Sequence, residues 1–295
     1  MSVSVRKAGA DDLYPVYELL RNSTLNSAPL PFEARKRMFR PVWGGDEGYY
    51  GYVMEAEGEV VGFLGTLFTE REINGTRHKF CEIHSWYVRD DYRNESIKLF
   101  LPVMSLRKVT LLNYTPTQTV YDISKKFGWN DLETQLLMFL PIPTPRSLGA
   151  GVRVETRKHA IVQYLDETDK QIFLDHDDVP CSHFLVRENN GTGYSYIILK
   201  KMWLSRLRPF GRIIYASDKR MLLNHIDYLK MLWCLRLGLT CVVIDRDEVE
   251  AEPKPAFSKV IDRDVPSLYL SKNLKPADIK PPLYTLPLLI GYRLH

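Results

Sequence analysis

Cysteine is scarce in this chain of 295 residues: Cys81, Cys181, Cys234 and Cys241 are the whole set. No two stand as C-x-x-C, and no histidine cluster accompanies them at zinc-ligand spacing, so a zinc ribbon or thioredoxin-type redox motif is excluded. All four fall in apolar strand or helix patterns and read as buried free thiols in a reducing compartment. Long apolar runs are also missing. Each apolar stretch falls short of the ~20 residues of a membrane span and is broken by turns or charges. Arg6, Lys7, Asp11 and Asp12 interrupt any run that would serve as a secretory leader. Charge of one sign is not concentrated: 40 Lys and Arg face 36 Asp and Glu, for a net +4 and a pI near 8.7. With no basic patch interleaved with aromatics, nothing points to nucleic acid, while the mild excess tolerates a polyanionic cofactor. The expectation is a cytoplasmic enzyme or binding protein without a membrane span or a metal, with surface attachment to a membrane left open.

What is present suits a packed core. Hydrophobic residues make up 45% and charged residues 26%, which disfavours general disorder. The length allows one large domain or two of about 150 residues. Val3 to Val5 reads as a strand. Ala10 to Asn22 reads as a helix with Leu13, Val16, Tyr17, Leu19 and Leu20 on its apolar face, and Phe32 to Val42 as a basic amphipathic helix. Tyr50 to Ala56 and Val60 to Phe68 form a hairpin over Glu57-Gly58-Glu59. Asn74-Gly75 turns the chain into a long strand, His78 to Val88. Ser96 to Leu106 is a helix containing Pro102, Val109 to Tyr114 a strand, Thr117 to Phe127 a helix closed by Gly128, and Leu136 to Leu140 a strand. The Pro- and Gly-rich stretch 141–151 marks a boundary between units 1–143 and 152–295.

The second half repeats this order in degraded form. Strands at Ser182 to Arg187 and Tyr194 to Lys200 flank Asn190-Gly191. A strand at Gly211 to Ala216, a helix at Lys219 to Leu237 and a strand at Thr240 to Ile244 follow. An ancient duplication accounts for the repetition. The proline-rich stretch Lys254 to Tyr292 is expected to wrap the second unit. The polar run Asp175 to Asp178 reads as a solvated turn rather than a metal site, and Ser217 or Asp218 as the cap of the helix from Lys219.

The richest segment is Trp86-Tyr87-Val88-Arg89-Asp90-Asp91-Tyr92-Arg93-Asn94-Glu95-Ser96-Ile97. It reads as a strand running into a loop that enters a helix, with Arg89 and Arg93 adding positive charge. The amides at a helix start point toward any anion placed there; the competing reading is an ordinary solvated loop. One strand upstream, Glu82, His84 and Trp86 alternate onto one side, opposite Cys81, Ile83, Ser85 and Tyr87. Two polar groups on a central strand demand either a cleft or an internal hydrogen bond, since unpaired burial costs several kcal/mol.

These residues resemble the GCN5-related N-acetyltransferase (GNAT) superfamily. Arg93 matches the first position of that family's acyl-CoA loop, whereas Ser96 stands where glycine is usual and Lys98 where a small residue is usual. Asn113-Tyr114-Thr115-Pro116, Val120 and Phe127-Gly128-Trp129 are similar to its later strand end and helix. The resemblance covers residues 1 to 140, with the second half as a diverged copy of the kind found in tandem members. It implies an α+β fold (α/β in the broader sense), a mixed twisted sheet flanked by helices and duplicated.

The implied activity is direct transfer of an acyl group from acetyl-CoA or another acyl-CoA cosubstrate to the primary amine of a small molecule, without a metal. Trp86, Tyr87, Val88, Arg89, Arg93, Asn94, Glu95, Ser96, Ile97 and Asn113 would hold the cofactor. Glu82 or His84 would be the base. The tyrosine usual as acid is replaced by Ser124, with Tyr121 one turn earlier and Tyr114 also within reach. The alternatives are a non-catalytic scaffold that kept the fold, or an enzyme whose donor is a long-chain acyl-CoA or an acyl carrier protein. A homodimer is a further expectation.

Overall fold

A computed structural model of the chain describes residues 2–23, 30–148, 151–189, 191, 193–204, 208–249, 255–290 and 293–294; Asn190 of the expected turn lies outside them, as do both ends of the stretch 254–292. The strands are β1 (Ser4–Lys7), β2 (Gly51–Ala56), β3 (Glu59–Ile73), β4 (Thr76–Val88), β5 (Val109–Asn113), β6 (Asn130–Asp131) and β7 (Gln135–Phe139) in the first half. In the second half they are β8 (Val152–Glu155), β9 (Ser182–Glu188), β10 (Tyr194–Leu204), β11 (Arg208–Ala216), β12 (Val242–Asp245), β13 (Ser258–Asp262), β14 (Leu268–Leu270) and β15 (Arg293–Leu294). The helices are α1 (Leu13–Arg21), α2 (Phe32–Arg37), α3 (Ile97–Met104), α4 (Gln118–Lys126), α5 (Lys158–Ile161), α6 (Glu167–His176), α7 (Lys219–Asn224), α8 (Ile226–Leu237), α9 (Pro276–Ile279) and α10 (Leu286–Leu289).

Two mixed sheets result. The first runs β1-β2-β3-β4-β5-β14-β6 and the second β13-β7-β12-β11-β10-β9-β8. In the first, β1 to β4 form an antiparallel meander and β4 pairs with β5 in parallel after α3 crosses over. In the second, β9, β10 and β11 form the meander and β11 pairs with β12 in parallel after α7 and α8. The duplicated order of the sequence is thus present as two sheets of one pattern. The helix expected across Lys219 to Leu237 breaks at His225, whose φ of −111° and ψ of 11° leave the α region.

The halves exchange strands reciprocally. β7 leaves the first sheet and lies between β12 and β13, while β14 leaves the second and lies between β5 and β6. The proline-rich stretch therefore does more than wrap the second unit, as its sequence suggested. It completes the first sheet, then places Leu286, Leu289 and Ile290 in a core with Val16, Phe63 and Leu67 of the first half, and Leu283 and Leu288 in a core with Phe173 and Ile198 of the second. Glu133, fully buried between the sheets, accepts from Arg212 Nη2 and from Arg263 Nη1 and ties these elements together.

Candidate acyl-transfer site

The sequence of β4 sets the local geometry. Its register against β3 slips between Phe63 and Gly65, and Ser85 sits at φ +51°, so β4 carries a bulge there. A bulge shifts the alternation of side chains by one residue. Glu82, His84 and Trp86 consequently do not share a face, contrary to the alternation of the sequence. Trp86 joins Cys81, Ile83 and Val88 on the α3 side and stacks on Phe100 with ring centroids 4.9 Å apart, and Tyr87 packs with Phe63 on the other side. His84 stays on the face opposite α3, its ring laid over Gly65. A Cβ added at Gly65 would lie 2.0 Å from the imidazole Cε1, so the absent side chain makes room for the ring.

Parallel pairing of β4 with β5 stops at Glu82 and Leu112. Beyond it the pairing ends: β5 stays paired with β14 along its other edge through Asn113, while Ile83 to Val88 have no strand partner on the β5 side among the described residues. A cleft with a cavity volume of about 90 Å³ opens there. Its walls are Ile83, His84, Ser85 and Trp86 of β4, and Asn113, Thr115, Pro116, Thr117 and Val120 leading into α4. Leu20, Leu30 and Arg35 close it from the α1–α2 side, and Leu286 and Ile290 from the C-terminal stretch. Asn113 Oδ1 accepts from the Thr115 N–H at 3.2 Å and fixes the turn that ends β5.

The two candidate bases part company. Glu82 does not line the cleft; buried, its Oε2 accepts from the Leu286 N–H at 2.7 Å, and burial pushes its carboxyl up to about 8. His84 does line it. Burial, with Arg35 nearby, holds its imidazole down at about 3, its Nδ1 lies 3.2 Å from Ser85 Oγ, and its Nε2 is buried without a partner. Tyr121 and Ser124 lie outside the cleft walls. The Tyr121 hydroxyl donates to Asp131 Oδ1 at 3.0 Å, and Ser124 is fully buried inside α4 with its Oγ unpartnered. Tyr114 is buried too, with its hydroxyl unpartnered and its backbone carbonyl accepting from Arg263 and Ser267.

The loop after β4 winds as a 3-10 helix over Asp90–Glu95 and enters α3 through Ser96, so the strand, turn and helix stand in the expected order. Asn94 is exposed and Glu95 half-buried. Its cations are engaged at the surface: Arg89 with Glu59 (3.1 Å), Arg93 with Asp90 (2.5 Å) and Lys98 with Glu95 (2.6 Å). The Ser96 N–H donates to the Arg93 carbonyl at 3.1 Å. Such exposed ion pairs are worth about 0–1 kcal/mol, so an incoming phosphate displaces them cheaply. In the second half, the Asp218 side chain caps α7 by accepting the Met221 N–H at 2.8 Å, as expected for an ordinary helix cap. The expected solvated turn at Asp175 to Asp178 is only partly so, because His176 is fully buried with its ring nitrogens 2.7 Å from the carbonyls of Ile172 and Leu283.

Residues 13–97 match the model described as the acetyltransferase (GNAT) family, a segment running from α1 through the loop to the first residue of α3. No curated protein matches the chain in sequence. Solved structures agree in fold. An Enterococcus faecalis protein described as a probable N-acyltransferase superposes with a TM-score of 0.60 at 11% identity, over 91% of this chain and 72% of that one. A GCN5-related N-acetyltransferase from Anabaena variabilis gives 0.57 at 13% identity over 91% and 72%. A tandem GNAT protein from the clavulanic acid biosynthesis pathway gives 0.55 at 12% over 91% and 98%. The fold is therefore that of GNAT-type acyltransferases of tandem architecture. The first half thus carries a segment similar to the GNAT family, and the two sheets share the duplicated fold of the tandem GNAT structures. That family implies an acyl-CoA cosubstrate. Among the described residues no cluster of metal-ligating side chains is present and no helix is long and apolar enough to cross a membrane. All four cysteines are free, Cys81 and Cys234 buried and the other two half-buried.

Sequence reasoning missed Arg35, Ser85, Leu286 and Ile290. A signal existed for Arg35 alone: it falls on the apolar stripe of α2 between Phe32 and Phe39, where a cation is out of place.

Proposed function

We propose that the protein moves an acyl group from acyl-CoA to the primary amine of a small molecule by direct attack. The end of β4–β5 pairing after Glu82 and Leu112 carries this reading. An extended thioester arm finds unpaired backbone on Ile83 to Val88, as a ligand adding to a strand edge does. The pyrophosphate rests at the turn from Arg89 to Ile97, where amides at the helix entry and the two arginines attract it.

The amine enters neutral on the α1–α2 side. Its nitrogen attacks the thioester carbonyl carbon, forming the C–N bond. The tetrahedral intermediate collapses with C–S cleavage, and the sulfur leaves as thiolate and is then protonated by water, which closes the proton balance once the base returns its proton to solvent. The proton lost by the new ammonium passes to His84, directly or through the Ser85 hydroxyl. A general base works best with a pKa near the operating pH, so this role requires the His84 imidazole to rise from about 3 when the reactants are bound. His84 is preferred to Glu82 because it lines the cleft and is unprotonated at neutral pH. Holding both reactants in register supplies much of the rate. The cytoplasm is the proposed compartment.

Titration with CoA and acetyl-CoA tests the proposal. Binding supports it, and no binding of either at millimolar concentration overturns it. The glycine-free loop, with its cations already paired, favours a second reading, a fold retained for binding or scaffolding without turnover. Binding without release of free thiol in the presence of amines would favour that reading.

A further inference from the structure

Arg35 stands in the cleft wall without a counter-charge. It is 3% exposed, and among the described residues its guanidinium meets only neutral groups: Nη1 donates to Ser85 Oγ at 3.0 Å and approaches Met38 Sδ at 3.6 Å, while Nε has no partner. Among the described residues no carboxylate comes within ion-pair distance of it. The contrast with Arg212 and Arg263 is sharp, since both of these are buried against Glu133. Removing a cation from water costs several kcal/mol unless an anion joins it. Burial lowers Arg35 to about 10, which leaves it charged at neutral pH. Among the described residues, the structure therefore keeps a cation without a counter-charge at the wall of a cleft whose other polar linings, among them His84, Ser85, Asn113, Thr115 and Thr117, carry no carboxylate.

We infer that Arg35 forms a carboxylate subsite, so that the transferase acts on a reactant bearing a carboxylate, either an amino-acid-like acceptor or a dicarboxylic acyl group on the thioester. This rests on the acyl-transfer reading above. A planar guanidinium matches a carboxylate through paired N–H donors, and the unpartnered Nε offers one of them. The small cavity suits a short reactant. Occupancy has a consequence for the neighbouring imidazole. Arg35 is one of the two influences that hold His84 down, and a carboxylate on Arg35 offsets its charge. His84 then gains basicity when the reactant is in place.

The test has a binding arm and a kinetic arm. In the first, protein with isotope-labelled histidine is titrated with sodium acetate and, as a neutral control, acetamide, following the His84 ring resonances. Acetate should move them in the wild type and in Arg35→Lys, but not in Arg35→Gln; acetamide should move them in none. Resonances unmoved by acetate in the wild type, or moved alike in Arg35→Gln, overturn the subsite. In the second, glycine and β-alanine are compared with glycinamide using acetyl-CoA, and succinyl-CoA is compared with acetyl-CoA using glycinamide. One carboxylate-bearing arm should exceed its neutral analogue by about ten-fold in kcat/KM, and Arg35→Gln should abolish the difference. The first pair identifies the acceptor as the source and the second the acyl group; equal rates in both overturn the inference. Calorimetric CoA affinity, unchanged in the Arg35 variants, is read separately, so loss of CoA binding from the wild type sinks the acyl-transfer reading while the acetate arm still decides Arg35.

Discussion

Leu286 donates its backbone N–H to Glu82 Oε2 across 2.7 Å, joining residues 204 positions apart and latching the C-terminal stretch to the central strand. The bond lies in the interior, and the next residue but one on the strand is His84. A carboxyl placed here fixes the wall that Leu286 and Ile290 give the cleft.

The first prediction concerns this latch. Glu82→Ala strands the Leu286 N–H in the interior and should cost about 1–3 kcal/mol of stability, whereas Glu82→Gln keeps an acceptor and should cost less. The Glu82 pKa is raised from 4.5 to about 8 by burial, so the folded state holds a proton that the unfolded state releases. The associated stability is complete below about pH 4.5 and is lost as pH rises toward 8. Urea unfolding midpoints between pH 5 and 8 should therefore fall with pH in the wild type more steeply than in Glu82→Gln. Equal slopes would show that Glu82 does not titrate as its burial requires.

His84 behaves oppositely. Its folded pKa is depressed from 6.5 to about 3, so the unfolded chain binds the extra proton. This contribution is present above about pH 6.5 and is lost as pH falls toward 3. As the proposed base, His84→Ala should lower kcat by roughly 10²–10⁴ with CoA affinity unchanged. Turnover that survives the change would exclude the imidazole from proton transfer.

Gly65→Ala probes the same ring from beneath. The new methyl would sit 2.0 Å from His84 Cε1 and must push the imidazole off β3. Overpacking of this kind costs about 1–3 kcal/mol, and the displaced ring should lose activity beyond what the change in melting temperature explains. A variant with wild-type kcat and CoA affinity would show that the position of the ring does not matter to the chemistry.

Arg93→Glu should weaken CoA binding about ten-fold or more, because a charge-assisted contact to phosphate becomes a repulsion. Arg93 is now paired with Asp90 at the surface, both side chains largely exposed. Asp90→Asn should free it and tighten CoA by at most about five-fold, the ceiling for an exposed pair worth about 1 kcal/mol. Calorimetry that finds Arg93→Glu unchanged would place the pyrophosphate elsewhere.

The meander of β2 to β4, the crossover into β5 and its echo in the second half were legible, because hairpin turns at Glu57-Gly58 and Asn74-Gly75 and the alternation of apolar residues are local signals. The bulge at Ser85 was not. Nothing in His84-Ser85-Trp86 marks a positive φ, so the face of Trp86 was misread. The environment of Arg35 depends on contacts with Ser85 and Met38 that only tertiary packing creates. Strand partners were equally hidden. Gln135 to Phe139 reads as a strand in any sheet, and its neighbours Val242 and Ser258 lie far along the chain.

That exchange of strands leads to the last prediction. Fragment 1–143 keeps β5 and β6 but loses β14, which bridges them, and it keeps β7 without the β12 and β13 that flank it. An orphaned apolar strand and an unpaired central edge favour association over folding. The fragment expressed alone should be aggregated or largely unfolded by circular dichroism, and co-expression with 144–295 should restore a soluble complex, because the missing strands are then supplied in trans. A monomeric fragment with a cooperative thermal transition of its own would mean that the first sheet closes without β14, and that Leu268–Leu270 covers a unit already complete.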